Sequence, residues 1–215
     1  MEVMIAGNGK MATAIGIRAA AGRHSVRVVG RSPERTEACA GRIREAAPEA
    51  SVSAGALDGE LGADVIVLAL FYPEIRKLVS TRSTELAGKV AVDISNPIND
   101  TYDGLLVPAD SSAARELAAI APDVHFVKAF NTTFAGPLAA GEAAGEPLDV
   151  LLAGDDDGAK HAVTALARDG GLNPIDTGPL ERARELEALG LLHITLQDAL
   201  GTPFNTAVRF VSAAG

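Results

Sequence analysis

The first sixteen residues, MEVMIAGNGKMATAIG, run an apolar strand directly into a glycine turn and then into a helix-forming stretch. Gly7-Asn8-Gly9-Lys10-Met11-Ala12 is the G-x-G-x-x-A form of the dinucleotide fingerprint, in the strand–turn–helix context the fingerprint requires. Gly7 permits the tight turn, Gly9 lets the backbone approach a pyrophosphate, and Ala12 keeps the helix close to the strand. The pyrophosphate then rests on free N–H groups at the positive end of the helix dipole.

The rest of the chain repeats the same alternation. Residues 2–6, 25–30, 64–72, 89–95, 124–131 and 148–153 are short runs rich in Val, Ile and Ala, nearly continuous in apolar residues, as parallel strands covered on both faces must be. Residues 9–21, 33–47, 73–86, 111–121, 157–168 and 181–200 read as helices between them. This order predicts an α/β fold, a doubly wound Rossmann-type parallel sheet with a small C-terminal α/β unit. The Gly-, Ala- and Pro-rich stretch Ala135–Pro147 lacks apolar periodicity and reads as a loop or seam, dividing residues 1–145 from 146–215. Leu186, Leu189, Leu192, Leu196 and Leu200 form an apolar stripe on the last helix; core packing is the first expectation and a homodimer contact the second.

The end of the second strand decides which dinucleotide. Val28-Val29-Gly30-Arg31-Ser32-Pro33-Glu34-Arg35 carries no acid at the strand tip, where an NAD-preferring site places one on the ribose hydroxyls. Arg31 and Arg35 suit a 2′-phosphate, with Ser32 as a hydrogen-bond donor. Arg31 also suits stacking on adenine, and the plainer alternative for Arg35 is a solvated helix face. Charge agrees with an anionic ligand. The chain is net −9, yet residues 1–50 hold eight Lys/Arg against five acids. An acidic chain is a poor general nucleic-acid surface. The expected cofactor is NADP.

Other strand ends supply the remaining cleft: Leu70-Phe71-Tyr72, Asn96-Pro97-Ile98, and Asn131-Thr132 with Ala135. Polar, Pro-bearing strand ends are also ordinary loop chemistry. These segments contain no His, Lys or Cys, so no catalytic side chain is expected, and direct hydride transfer between positioned cofactors fits best. The four His show no metal-ligand spacing, and Asp155-Asp156-Asp157 reads as a helix cap, so no metal is expected. One Cys excludes an internal disulfide. No apolar stretch is long enough to span a bilayer and no signal pattern opens the chain, which together predict a cytoplasmic protein without membrane partners.

These motifs together resemble the coenzyme F-420:NADP oxidoreductases. The fingerprint, the Gly30-Arg31-Ser32 turn with Arg35, the Phe130–Ala135 strand end, then Ala153-Gly154-Asp155-Asp156-Asp157 and Asp176-Thr177-Gly178-Pro179-Leu180 fall in that family's order over nearly the whole chain. The resemblance implies a dimeric Rossmann protein acting on two small-molecule substrates, NADP(H) and the deazaflavin coenzyme F-420. It assigns Asn8–Met11 to the pyrophosphate and Arg31, Ser32 and Arg35 to the 2′-phosphate. Leu70, Phe71, Tyr72 and Ala135 would lie near the nicotinamide, with Asn131 and Thr132 close by. Pro97, Ile98 and Phe204 would wall the deazaflavin. Two alternatives stand beside this: a reductase of another acceptor (flavin, quinone or ferric chelate), and a non-catalytic NADP-binding sensor.

Overall fold

A computed structural model describes residues 1–211; the last four residues of the expected C-terminal unit lie outside it. Eight strands form one sheet: β1 (Glu2–Ala6), β2 (Ser25–Gly30), β3 (Val52–Ala56), β4 (Val65–Leu68), β5 (Val90–Asp93), β6 (His125–Ala129), β9 (Asp149–Gly154) and β10 (Asn173–Asp176). Their spatial order is β10-β9-β6-β5-β4-β1-β2-β3. Neighbours pair in parallel throughout, except that β9 runs antiparallel to β6. The sheet is therefore doubly wound, as expected, but its last two strands are reversed relative to the rest.

The near-continuous apolar strands follow from having two cores. On β1, Val3 and Ile5 face one cluster, shared with α1 (Lys10–Ala21), α2 (Pro33–Ala46) and α6 (Asp157–Asp169). Met4 and Ala6 face the other, shared with α3 (Tyr72–Leu86) and α4 (Ala113–Ile120). A strand buried on both faces has no polar alternation to keep.

Three expectations need correction. The strand expected over 64–72 stops at Leu68, and Tyr72 opens α3, with Phe71 as its N-cap and Pro73 in its first turn. Pro pre-sets the φ of a helix start, which explains the early turn. Ala135–Pro147 is ordered: α5 (Ala135–Ala140) ends at Gly141 in the left-handed region, and the short hairpin β7 (Glu142–Ala143)–β8 (Glu146–Pro147) follows. Ala144 and Gly145, both at positive φ, give the turn geometry such a hairpin needs. The leucine stripe on α7 (Ala183–Leu200) is core only at its start. Leu186 is buried, whereas Leu192, Leu196 and Leu200 are exposed.

Candidate functional site: the cleft at the carboxyl ends of β1, β2, β4 and β5

The glycine loop separates two demands that the fingerprint merges. Gly7 sits at φ 129°, and a Cβ there would lie 2.1 Å from the Ala69 carbonyl oxygen, so the fold itself requires glycine. Gly9 has an ordinary φ of −84°, and a Cβ on it would meet nothing within 4 Å. No packing demands its smallness. It instead keeps open the space above the first turn of α1, whose N-cap makes no side-chain hydrogen bond. Unclaimed N–H groups beneath an open approach suit a pyrophosphate. Gly30 makes room for Asn8, whose Nδ2 donates to Thr36 Oγ1 at 3.1 Å; a Cβ on Gly30 would lie 2.6 Å from that nitrogen. Ala12 is buried beneath the loop.

The cationic end follows from how α2 begins. Ser32 is its N-cap and accepts from the Arg35 backbone N–H at 3.4 Å, which leaves the hydroxyl hydrogen free to donate elsewhere. Arg31, just past the tip of β2, and Arg35, in the first turn of α2, are exposed, and Arg31 is ion-paired with Glu74 on α3. Glu74 was not anticipated from the sequence. It comes beside Arg31 only because α3 starts one residue after Phe71.

A cleft of about 700 Å³ joins these features, lined by Asn8, Gly9, Lys10, Met11, Arg31 and Arg35. Leu70, Phe71, Asn96 and Ile98 extend it past β4 and β5, and Ile194 of α7 closes one side. Asn99, Asp100 and Tyr102 also line it, and sequence reasoning missed all three. A group with an anionic pyrophosphate and a 2′-phosphate fits this lining. Asn8 to Met11 would hold the first, and Arg31, Ser32 and Arg35 the second. Bound there, NADP(H) supplies a hydride donor or acceptor.

Several residues expected in the cleft are elsewhere. Tyr72 is buried in the core behind it, where burial, followed by the charge of Glu116, pushes its phenol up and keeps it protonated. Pro97 is buried in the loop after β5, its carbonyl accepting from Leu106 N at 2.6 Å. Ala135 lines a neighbouring groove of about 620 Å³, together with Lys10, Arg35 and Arg42. Phe204 packs edge-on against Phe134, with ring centroids 5.2 Å apart. Tyr72 and Ala135 open helices rather than end strands, and Phe204 lies in the tail beyond α7, so adjacency in sequence does not place every side chain in the cleft.

Asn131 and Thr132 are buried supports. Asn131 Nδ2 donates to Asn96 Oδ1 at 2.9 Å and to the Leu186 carbonyl at 2.8 Å, and Asn96 Nδ2 returns a bond to the Asn131 carbonyl at 2.8 Å. Gly190 lets α7 close on this pair, since a Cβ there would lie 2.4 Å from Asn96 Oδ1. The Thr132 carbonyl is 3.2 Å from His193 Nδ1, and His193 Nε2 is 2.8 Å from Thr206 Oγ1, tying the tail to α7. Burial holds the His193 imidazole below its ordinary value, against the weaker pull of the Thr132 carbonyl.

Beneath the Asn96 loop lies a fully buried ionic cluster that the sequence did not announce. Lys128 on β6 contacts Asp93, Glu187 and the Ser95 carbonyl. Burial alone would lower its ammonium; the carboxylates of Asp93 and Glu187 outweigh that and hold it above the ordinary lysine value. Glu187 also accepts from the Ala113 backbone N–H at 2.9 Å, at the start of α4. The Asp155–Asp157 run is structural: Asp156 caps α6 through Ala159 N at 2.7 Å, and Asp155 accepts from Leu180 N at 2.8 Å. Among the described residues, no group of three or more His, Cys, Asp or Glu is arranged to hold a metal, and no helix is long and apolar enough to cross a membrane.

Sheet, glycine loop and cationic strand tip define a Rossmann-type dinucleotide-binding protein. Residues 2–97, a little under half of the chain, match the family model described as NADP oxidoreductase, coenzyme F-420-dependent. It is 28% identical over 205 residues to the F-420-dependent NADP reductase of Methanocaldococcus jannaschii, covering 90% of each chain. It is 35% identical over 191 residues, 88% of its own length, to the metalloreductase STEAP3 of Rattus norvegicus, and spans only 36% of that longer protein. A crystal structure from Arthrobacter sp. FB24, provisionally assigned as an F-420-dependent NADP reductase, superposes with a TM-score of 0.81 at 29% identity, covering 98% of this chain and 99% of the other.

Proposed function

We propose that this chain transfers a hydride between NADP(H) and coenzyme F-420. The observation that carries the reading is the 700 Å³ cleft with an open pyrophosphate cradle at Gly9, two arginines between the end of β2 and the first turn of α2, and no histidine or cysteine in its lining. Such a site orients and desolvates two reactants, and hydride transfer needs little more from the protein. NADPH and oxidised F-420 take up one solvent proton and leave as NADP+ and reduced F-420. Asn8 to Met11 and the two arginines bind. Asn96, braced by Asn131, fixes the loop that borders the reacting end. The 90% mutual coverage with the Methanocaldococcus reductase supports F-420 as the partner.

Mixing the purified protein with NADPH and oxidised F-420 tests this directly. Loss of the deazaflavin's visible absorbance is expected, and much slower loss with NADH. Intact NADPH binding with no loss of absorbance overturns the acceptor assignment.

The similarity to the rat metalloreductase favours a second reading, in which the acceptor is a flavin or a chelated metal. NADPH oxidation with ferric chelate or FMN, and none with F-420, is its signature. In either reading residues 1–145 carry NADP and residues 146–215 form the C-terminal unit. The protein acts as a cytoplasmic homodimer, for which the exposed Leu192, Leu196 and Leu200 offer a contact face. A monomeric mass by light scattering contradicts that part.

A further inference from the structure

The turn after β5 is built at an energetic disadvantage. Tyr102 holds φ at 58°, in the left-handed region that a bulky aromatic residue rarely adopts. Its ring is exposed rather than packed. The surrounding turn is tightly specified. Asn99 Oδ1 accepts from Asp103 N at 3.1 Å and Gly104 N at 3.3 Å, Asn99 Nδ2 and Thr101 Oγ1 each donate to Asp103 Oδ1 at 2.7 Å, and Tyr102 N donates to the Asn99 carbonyl at 3.1 Å. Glycine would satisfy the same backbone without strain. Neither core packing nor turn geometry explains the aromatic ring.

Its location offers an explanation. Tyr102 lines the same cleft as Phe71, whose side chain is 81% exposed, and as Ile98 and Ile194. The cleft is cationic where β2 ends; beyond β4 and β5 it presents Leu70, Phe71, Ile98, Tyr102 and Ile194 among the polar Asn96, Asn99 and Asp100. Two solvent-exposed aromatic rings at the second end are poor ligands for a hydrated metal chelate. They suit the flat face of a conjugated ring, which aromatic side chains contact by offset stacking.

We propose that Tyr102, with Phe71, is a substrate-contacting residue that selects a planar tricyclic acceptor, a deazaflavin or flavin ring, at the end of the cleft where these two aromatic rings are exposed. This rests on the proposed hydride transfer and narrows its acceptor to a ring of that class. Because the backbone at position 102 favours glycine, Tyr102→Gly removes the ring while relieving the turn. Tyr102→Phe keeps the ring and the strain.

The test is equilibrium binding of oxidised F-420 and, separately, of FMN to the NADP+-loaded protein, followed by quenching of ring fluorescence. Thermal midpoint and NADPH affinity are measured for each variant. Tyr102→Gly is expected to weaken ring binding roughly three- to tenfold, the scale of one aromatic stacking contact. Its NADPH affinity stays unchanged and its thermal midpoint is not lowered. Tyr102→Phe binds the ring like wild type. Ring binding unchanged in Tyr102→Gly overturns the role of Tyr102 alone, as does an equal loss of NADPH and ring affinity. Failure of the wild-type protein to bind either ring overturns the acceptor reading and this inference with it.

Discussion

Lys128 Nζ lies 2.8 Å from Asp93 Oδ2, with both side chains at zero exposure, and the same nitrogen lies 2.8 Å from Glu187 Oε1. One lysine on β6 thus joins the end of β5, the start of α4 and the first turns of α7. It also holds the carbonyl of Ser95, one residue before Asn96. Removing one member of a buried ionic cluster strands the others without water, so Lys128→Met is expected to destabilise the fold by about 3–5 kcal/mol. Urea unfolding measures this. A change within the range of a surface substitution, about 0.5 kcal/mol, contradicts the structural role.

The two demands of the glycine loop come apart on mutation. Gly7→Ala places a Cβ against the Ala69 carbonyl at a φ of 129° and is expected to lower stability. A Cβ at position 9 meets nothing within 4 Å, so Gly9→Val is expected to lower the thermal midpoint much less than Gly7→Ala. Its side chain fills the pyrophosphate approach, so NADPH and NADH binding fall together. Titrations of both cofactors, paired with melting curves, check this. Gly9→Val that binds normally removes the pyrophosphate from that position.

Arg31 and Glu74 predict opposite effects on cofactor choice. Arg31→Ala is expected to weaken NADPH by roughly 1–3 kcal/mol, the scale of charge-assisted hydrogen bonds, with NADH little affected. Glu74→Gln releases the Arg31 guanidinium from its ion pair and is expected to tighten NADPH slightly, by about 0.2–1 kcal/mol, because the pair is largely exposed. Isothermal titration with both nucleotides distinguishes them. Equal losses for NADPH and NADH in Arg31→Ala rule out a 2′-phosphate contact.

The fold was legible because two cores impose nearly continuous apolar strands, and the fingerprint marked the first of them. The edge strands escaped notice for the converse reason. Val52–Ala56 and Asn173–Asp176 are half exposed and carry Ser, Gly, Asn and Pro, which edges tolerate. The cationic half of the cleft was readable from local spacing at Gly7–Ala12 and Arg31–Arg35. The rest depended on partners far apart in sequence. Lys128 meets Asp93 across 35 residues, and Asn131 meets Leu186 across 55. Nothing in the sequence near Tyr102 announced that its turn would face the same cleft.

His193 predicts an acid weakness in the tail. Burial depresses its pKa in the folded state, so its stabilising contribution is present above the ordinary imidazole value and is lost as pH falls through the folded one. His24, also buried and also lowered, loses stability in the same direction. Comparing unfolding at pH 7 and pH 5 for wild type and His193→Gln isolates the first contribution. The difference between the two pH values is expected to shrink in the variant, and the protection of amides near Thr206, taken relative to their intrinsic exchange rate at each pH, to fall at low pH only in wild type. An unchanged difference removes His193 as its source.

The most direct test of the central claim follows the hydride itself. NADPH carrying deuterium at both positions of nicotinamide C4 is mixed with the protein and oxidised F-420 in ordinary water, and the reduced deazaflavin is analysed by mass spectrometry. One deuterium per reduced F-420 is the expected result, because direct transfer passes the C4 hydride to carbon without an exchangeable intermediary. Reduced product without deuterium, or no reduction while NADPH binds normally, contradicts direct hydride transfer at this site.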